Sequence, residues 1–340
     1  MNKKKHIKAL PILEYSGFKP KAGCISFAKK HQYFIVTDIA ISGDAPKDFI
    51  GYYHFGTGRK SNPKTWPRYI AKHGHKHYSM EVISEYLLNR IGEELGFNMA
   101  LSELAWLGGQ IRFLSKYFLI KPKEQVLDHG ADLYAGYLND RNFVEEIEKQ
   151  NKSPEFFTVQ FTLETLKHFF TDDYEDLSLE FMKLLIFDAL VGNNDRHFYN
   201  CGIIRNIKGK EKPVFSPIYD TARGLFWNED EAKISKILSD KNRLNSFIIK
   251  YSNNSSPKIG WEGKVKLNHF EMVEEILNLP KAVECKMILN VCKPDALNRV
   301  LSMIDREFLQ LISERRRTLI KAYLVYRHGI IRNILTLQND

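Results

Sequence analysis

A short loop in the second half of the chain concentrates polar side chains directly after an apolar run. The sequence from Phe187 to Gly202 reads FDALVGNNDRHFYNCG, and Asp195 and Asn200 stand five positions apart in it. Asp220 follows in SPIYDTARGL. Mg²⁺ prefers oxygen ligands and is usually held by one or two carboxylates together with substrate phosphates. These residue types therefore suit a site at which a metal-bound phosphate reacts.

The interval between Asp195 and Asn200 matches that of the catalytic loop of protein kinases. In that loop the aspartate orients the substrate hydroxyl and the asparagine oxygen reaches a magnesium ion, so both side chains must converge on one phosphate. Any single Asp or Asn is more often a turn or cap residue. Their conjunction with Asp220 favours phosphoryl transfer, with Asp195 as the catalytic residue and Asn200 and Asp220 as metal ligands.

A β-hairpin is expected between these polar residues. Ile203–Ile204 predicts one strand, residues 206–212 with Gly209 predict the turn, and Val214–Phe215 predict the return strand. Such a hairpin carries Asp220 back to the side of the first loop.

The upstream half should supply the groups that hold the phosphates. Gly56, Gly58 and Ser61 in GTGRKS would form a loop whose backbone amides bind an anion, although a plain surface turn has the same composition. Lys72 ends a short predicted strand and would reach the phosphates, unless it is a solvent lysine. Glu85 would pair with Lys72, and Glu81, one turn earlier on the same predicted helix, is the rival.

Composition excludes several classes of protein. The 340 residues are 44% hydrophobic and 27% charged, with 50 Lys+Arg against 41 Asp+Glu and a formal charge of +9, as in a soluble globular protein. We expect a cytoplasmic chain, because no export signal or membrane-spanning run is evident and the four cysteines fit neither a disulfide framework nor zinc. The basic run Arg315–Arg317 is expected on a solvated helix face.

The periodicity of apolar residues predicts an α+β fold with two lobes. Strands are expected in residues 25–55, up to Lys72 and in 111–119, with a helix in 79–95 that Gly96 ends. A polar connector with Pro122 and Gly130 follows. The strand-rich N-lobe is assigned to residues 1–122 and the helical C-lobe to 123–340. The helices predicted for the C-lobe are 140–150, 158–170, 178–191, 268–278, 281–292 and 303–327.

Two segments resemble a known family. NNDRHFYNCG followed by SPIYDTARGLFWN is similar to the HipA-like serine/threonine kinases, which include the toxin kinases of bacterial toxin–antitoxin modules. The resemblance continues upstream in SEYLLNRIGEELGF and SELAWLGGQIRFLSKYF and covers about residues 56–330. It implies a protein-kinase-like fold, while residues 1–50 match nothing that we can name.

The resemblance implies an ATP- and Mg²⁺-dependent protein kinase and assigns roles to single residues. The chain departs from this family in the loop GTGRKS, where the family has a loop of the Gly-Val-Gln type. The roles of Gly56, Gly58 and Ser61 are therefore placed less firmly. The roles it implies are the catalytic aspartate for Asp195, magnesium ligands for Asn200 and Asp220, the phosphate-binding lysine for Lys72, a nucleotide contact for His197, and the adenine hinge for Ser115 and Tyr117.

The resemblance also implies partners. The acceptor would be a serine or threonine hydroxyl of a protein, an antitoxin is a possible partner, and Ser61 is a candidate for autophosphorylation. Direct reading of DNA by this chain and binding to a membrane are not expected. Two alternatives stay open: a phosphoinositide-kinase-like lipid kinase, which shares Asp-Arg-His-x-x-Asn, and a nucleotide-binding pseudokinase. A metal site at His73, His75 and His77 is disfavoured, since no carboxylate or cysteine completes it.

Overall fold

The computed structural model describes residues 17–37, 46–74, 80–121, 123–264, 266–279 and 293–337. Two sequence expectations fall partly or wholly outside these ranges. They are the histidine cluster, of which only His73 is described, and the predicted helix 281–292.

A six-stranded sheet forms the first part of the fold. Its strands are β1 Ser26–Phe27, β2 Tyr33–Ile35, β3 Lys47–Tyr52, β4 Arg68–Lys72, β5 Ser102–Leu107 and β6 Gln110–Lys116. Their spatial order is β1-β5-β6-β4-β3-β2, and all neighbours are antiparallel except β1 and β5. Gly108 and Gly109 join β5 to β6 with φ of +60° and +87°. Glycine adopts this two-residue hairpin turn without steric cost.

The register of the sheet places Lys72 at one end of it. Lys72 lies opposite Lys47 on β3 and opposite Phe113 on β6. Lys47, the first residue of β3, therefore lies at the Lys72 end of the sheet. The connection from β3 to β4, residues 53–67, is at the other end, where Gly51 pairs with Arg68.

Helix α1, Glu81–Glu94, connects β4 to β5. Its apolar side chains recur at helical spacing, and Val82, Leu88 and Ile91 are buried. Gly96 follows with φ +83°, and the N–H of the next residue, Phe97, donates to the carbonyl of Gly92 at 2.9 Å. This closes the helix in the way that a glycine after the last turn allows. The predicted helix and its glycine end are confirmed.

A second sheet and a set of helices follow. The strands β7 Gln125–His129, β8 Gly202–Asn206 and β9 Val214–Phe215 form an antiparallel three-stranded sheet, and the β8–β9 pair confirms the predicted hairpin. The helices are α2 Gly130–Leu138, α3 Arg141–Lys149, α4 Ser153–Phe156, α5 Val159–Phe169, α6 Tyr174–Val191, α7 Glu231–Leu238, α8 Lys241–Asn253, α9 His269–Leu277, α10 Pro294–Glu307 and α11 Glu314–Leu337.

The largest apolar cluster spans both parts of the fold. It joins Leu88 of α1 and Phe113 of β6 to Leu185 of α6 and Tyr323 of α11, all of them at most 3% exposed. The other face of the six-stranded sheet has a smaller cluster of its own. The two lobes therefore share the largest core, and each also has a smaller cluster of its own.

The prediction of a single late helix over residues 303–327 is wrong. Helix α10 ends at Glu307 and α11 begins at Glu314. Phe308 between them is fully buried, and the hydroxyl of Ser313 accepts a hydrogen bond from the N–H of Arg316 at 3.0 Å. A serine in this position starts a new helix by satisfying a free N–H group.

The polar connector expected around Pro122 and Gly130 is also wrong, since β7 and α2 occupy it. Gly130 begins α2 instead of breaking the chain. Glycine is needed at this position because a β-carbon would lie 2.8 Å from the carbonyl oxygen of Phe198. Helices α7 and α8 were not predicted. Their cap residues, Asp230 and Asp240, accept hydrogen bonds from the N–H groups three residues later.

Arg316 corrects the expectation of a solvated basic face. Its guanidinium is buried and donates to the carbonyls of Phe226 and Glu229 and to the carboxylate of Glu231, at 2.9 Å for the Phe226 and Glu231 contacts. Within the basic run, Arg315 is exposed and Arg317 is half-buried. Of the helices described above, none is long and apolar enough to span a bilayer.

Candidate active site

The loop that carries Asp195 begins where α6 ends. Gly192 stops the helix with φ +68°, and a β-carbon at this position would lie 1.9 Å from the hydroxyl of Tyr323. The close packing of α11 thus requires glycine here. Beyond it, Asn193 donates from Nδ2 to Asp188 at 2.8 Å and accepts the N–H of Asp195 at 3.2 Å. These bonds fix the direction in which the loop leaves the helix.

Arg196 ties the loop to the hairpin that returns to Asp220. Its guanidinium pairs with Asp188 at 2.8 Å, and both side chains are fully buried. The same guanidinium donates from Nη1 to the carbonyl of Asn200 at 2.6 Å and to the carbonyl of Tyr219 at 2.9 Å. One buried cation therefore sets the spacing between the Asn200 loop and the residue before Asp220.

Asp195 lies at the surface of this arrangement. The side-chain amide of Asn200 donates to its backbone carbonyl at 3.0 Å. Its carboxylate faces two cations: Lys258, with Nζ 2.7 Å from Oδ1, and Arg223, with Nε 3.3 Å from Oδ2. Neither cation belongs to the motif that pointed to Asp195.

Lys72 joins the two lobes by a charge cluster. Its Nζ lies 2.6 Å from Glu85 on α1 and 2.9 Å from Asp220. Lys72 and Glu85 are buried, and the structure thus brings Lys72 to Glu85 rather than to the rival Glu81. Burial alone would lower the pKa of Lys72, but the Asp220 and Glu85 carboxylates raise it above its ordinary value, so the amine is charged.

The two carboxylates on Lys72 differ in their proton affinity. Burial raises the pKa of Glu85 against the pull of Lys72, and the Asp220 carboxylate adds to the rise. Burial would also raise the pKa of Asp220, but Lys72 outweighs it and lowers the pKa to about 2. Asp220 is therefore ionised throughout the neutral range. Its φ of +56° is a left-handed conformation that aspartate tolerates better than most residues.

His197 lies in the loop itself, between Asp195 and Asn200. Its Nδ1 accepts the N–H of Tyr199 at 3.3 Å. Burial lowers the pKa of His197 to about 4, and Asp195 opposes this shift only in part. The imidazole is neutral at pH 7 and would meet a nucleotide as a hydrogen-bonding group, not as a cation.

Asn200 and Asp220 have the donor chemistry that a magnesium ion requires. The Nδ2 of Asn200 is engaged with Asp195, so its Oδ1 is the atom presented to a metal. Asp220 pairs with Lys72 through Oδ1, and its side chain is 32% exposed. Hard oxygen donors of this number fit Mg²⁺ completed by phosphate oxygens. Within the ranges that the structure describes, no cluster of three or more His, Cys, Asp or Glu side chains could hold a metal ion by itself.

The structure does not bring Gly56, Gly58 and Ser61 to Lys72. They lie in the exposed β3–β4 connection at the opposite end of the sheet. At ~3.3 Å per residue, the strand alone separates Arg68 from Lys72 by ~13 Å. This loop folds onto itself, with the indole of Trp66 donating to the carbonyl of Arg59 at 2.9 Å.

The predicted hinge residues lie where β6 leaves the sheet. Ser115 is buried and pairs with Ile70 of β4. The N–H of Tyr117 donates to the carbonyl of Arg68 at 2.8 Å, so this group is engaged within the protein. The ring of the next residue, Phe118, lies 5.5 Å from that of Tyr219, which gives the connector an aromatic contact with the segment before Asp220.

Sequence reasoning missed two of the cations at this site. Lys258 lies 63 positions beyond Asp195, in a stretch without a motif, so no sequence signal pointed to it. Arg223 stood inside the recognised segment DTARGL, and its place three residues after Asp220 was a usable signal.

The fold is that of a two-lobed α+β protein of the kinase-like type. The chain belongs to the HipA-like C-terminal domain family, which matches residues 16–283.

A relative and two solved structures are similar to it. The serine/threonine-protein kinase CtkA of Helicobacter pylori strain J99 is 24% identical over 263 residues, which cover 74% of this chain and 75% of the relative. The crystal structure of the H. pylori proinflammatory kinase CtkA superposes with a TM-score of 0.71 at 19% identity, over 92% of this chain and 97% of that one. A complex of HipA, HipB and operator DNA from the Shewanella oneidensis MR-1 toxin–antitoxin system gives 0.46 at 13% identity, over 87% of this chain and 65% of that chain.

Proposed function

We propose that the chain is an ATP- and Mg²⁺-dependent protein kinase that phosphorylates serine or threonine hydroxyls. The observation that carries the proposal is the charge cluster in which Lys72 Nζ lies 2.6 Å from Glu85 and 2.9 Å from Asp220. A buried lysine between two carboxylates, beside a loop that presents Asp195 and Asn200, suits the binding and transfer of a phosphate. The name of the H. pylori relative supports serine and threonine as the acceptors.

Each residue would contribute positioning or charge. Lys72, held extended by Glu85, would bind phosphate oxygens of ATP, and His197 would contact the nucleotide as a neutral group. Asn200 Oδ1 and Asp220 would hold Mg²⁺, which neutralises charge on the phosphates. Such electrostatic stabilisation is commonly the largest contribution to catalysis of this kind.

Asp195 would act on the acceptor. Its carboxylate would accept a hydrogen bond from the acceptor hydroxyl and receive its proton as the oxygen–phosphorus bond forms and ADP leaves. Positioned proton transfer contributes about 10²–10⁴-fold to rate. Arg196 takes no part in this step and acts through the loop that it positions.

The test is a transfer assay with labelled ATP and peptides that contain Ser, Thr or Tyr. Asp195→Asn should lower kcat by about 10²–10⁴-fold and leave the Kd for MgATP within threefold. Asp220→Asn should abolish transfer and also weaken binding of MgATP, because a metal ligand is lost. Asp305→Asn is the control, since Asp305 forms a surface ion pair with Lys321 on the outer side of α10.

Equal transfer by the Asp195→Asn variant and the unmodified chain would contradict the catalytic role of Asp195. MgATP binding without any transfer to peptides would instead point to a pseudokinase. Transfer to phosphatidylinositol vesicles and to no peptide would point to a lipid kinase.

A further inference from the structure

The carboxylate of Asp195 is contacted by a lysine that comes from a distant element. Lys258 lies between α8 and α9, and its Nζ is 2.7 Å from Asp195 Oδ1. The Lys258 side chain is 44% exposed and that of Asp195 is 15% exposed. The ammonium is therefore more exposed to solvent than the carboxylate that it contacts.

The segment before Lys258 is tied to the loop residue that precedes Asp195. The Oδ1 atom of Asn194 accepts a hydrogen bond from the hydroxyl of Ser255 at 2.8 Å and another from the N–H of Ser256 at 3.1 Å. Ser255 is 1% exposed, and its oxygen also lies 2.8 Å from Nδ1 of the buried His269. Lys258 is thus carried by the same hydrogen-bonded unit as Asp195.

The segment after Lys258 is fixed as well. Gly260 accepts the N–H of Val159 at 2.9 Å and donates its own N–H to the carbonyl of Phe157 at 3.2 Å. A β-carbon on Gly260 would lie 1.7 Å from the carbonyl oxygen of Pro154, and Ile259 is 2% exposed. The ion pair between Lys258 and Asp195 is partly exposed, and such pairs contribute little to stability. Stabilisation by this pair therefore does not explain why the segment around Lys258 is held so closely.

We propose that Lys258 is a catalytic residue that contacts the phosphoryl group during its transfer. This rests on the kinase activity proposed above. An acceptor oxygen that is hydrogen-bonded to Asp195 must also approach the phosphorus to about 3–3.5 Å in an aligned complex. An ammonium 2.7 Å from the same carboxylate lies within reach of the phosphoryl oxygens on the acceptor side. Lys72 would bind phosphate oxygens beside Asp220, whose Oδ1 lies 2.9 Å from its Nζ.

The transfer forms one bond to phosphorus and breaks another. The acceptor oxygen forms a bond to the γ-phosphorus, the bond from that phosphorus to the β–γ bridging oxygen breaks, and ADP carries away the electron pair. The acceptor proton passes to the Asp195 carboxylate. Lys258 exchanges no proton; it turns from the carboxylate to the phosphoryl oxygens, where its positive charge is most effective in the transition state.

Three variants test this role. Lys258→Met keeps the length of the side chain and removes the charge, Lys258→Arg keeps the charge, and Lys264→Met is the matched control. Lys264 lies in the same segment, is also 44% exposed, and pairs with Glu275 away from the site. For each variant we would measure kcat, KM for ATP, melting temperature, and the Kd for MgADP with and without aluminium fluoride, which mimics the phosphoryl group in transfer.

Lys258→Met should lower kcat by about 10²–10³-fold, as the loss of one transition-state donor does, with KM for ATP within threefold. Its affinity for MgADP–aluminium fluoride should fall at least 30-fold more than its affinity for MgADP. Lys258→Arg should recover at least a tenth of kcat. Lys264→Met should match the unmodified chain throughout, and the melting temperatures of all four proteins should agree.

Three results would overturn the inference. They are a kcat for Lys258→Met within threefold of the unmodified chain, an equal loss of affinity for both ADP complexes, and a rise in kcat, which would mean that Lys258 blocks the carboxylate. Failure of the proposed function would look different: the unmodified chain itself would neither bind MgATP nor transfer phosphate, and the role of Lys258 would fall with it.

Discussion

Arg196 is the residue on which the geometry of the site depends most. It is fully buried, pairs with the equally buried Asp188, and binds the carbonyls of Asn200 and Tyr219 with one nitrogen. A planar guanidinium with several fixed donors can serve all of these acceptors, whereas a lysine ammonium cannot match the geometry. Sequence reasoning noticed Arg196 only as one polar residue of a crowded loop.

Arg196→Met should destabilise the protein by about 3–5 kcal/mol, because it leaves the charge of Asp188 buried without a partner. Urea unfolding followed by circular dichroism measures this loss. The control is Arg205→Met: Arg205 pairs with Asp128 with its side chain 45% exposed, and such pairs contribute about 0–1 kcal/mol. Similar losses for both variants would contradict the proposed importance of burial.

His197 should make stability depend on pH. Its pKa is about 4 in the folded protein, against an ordinary value of about 6.5. As pH falls below 6.5, the unfolded chain binds a proton at His197, whereas the folded chain binds it only near pH 4. The stability present above pH 6.5 is therefore lost across this window.

Between pH 7 and pH 5 the unmodified chain should therefore lose about 2 kcal/mol more of its unfolding free energy than His197→Gln does. Urea unfolding at the two pH values gives the comparison. Parallel losses in the two proteins would show that His197 is protonated equally in the folded and unfolded states.

At the scale of elements, the register of β3 and β4 bears on the predicted phosphate-binding loop. The β3–β4 connection with Gly56, Gly58 and Ser61 lies away from Lys72. Gly58→Ala should cost about 1–3 kcal/mol of stability, because φ is +75° and the new carbon would lie 2.5 Å from the carbonyl oxygen of Thr65. The Kd for MgATP should stay within twofold, as measured by titration calorimetry.

Gly56→Ala is the matched control for this prediction. Its φ is +85°, but a β-carbon there meets nothing within 4 Å, so only the backbone conformation is penalised. Ser61→Ala should leave the transfer rate unchanged. A tenfold loss of MgATP affinity in either glycine variant would restore this loop as the phosphate-binding one.

The elements also show how far sequence reasoning reached. The Asp195–Asn200 interval, the hairpin that returns Asp220, and the strand ending in Lys72 are local patterns, and the structure has each of them. The pairing of Lys72 with Glu85 was predicted with Glu81 as a rival, because both lie on α1 and only the packing of the helix chooses between them. Lys258 was beyond reach, since its contact with Asp195 depends on how α8 and α9 pack against the loop.

At the scale of the whole molecule, the shared core predicts cooperative unfolding. Leu88 of α1 is fully buried in the cluster that also contains the helices of the second lobe. Leu88→Ala should cost about 2–5 kcal/mol, and calorimetry should show one transition that moves to lower temperature without splitting.

Ile120→Ala is the control for that prediction, since Ile120 is 86% exposed and its truncation should leave the transition in place. Two separate transitions in the unmodified chain would mean that the two lobes unfold independently, contrary to a common core.

The embedding of α1 also bears on how such a protein could be restrained. Glu85 is carried by a helix whose neighbouring Val82 and Leu88 are buried, and Leu88 lies against Gly224 in the stretch just after Asp220. Moving this helix outward would expose its buried apolar side chains, at a free-energy cost of about 1.5–3 kcal/mol for each of them. Moving α1 away from Lys72 therefore costs free energy, so regulation of the proposed kinase would act more readily outside this helix.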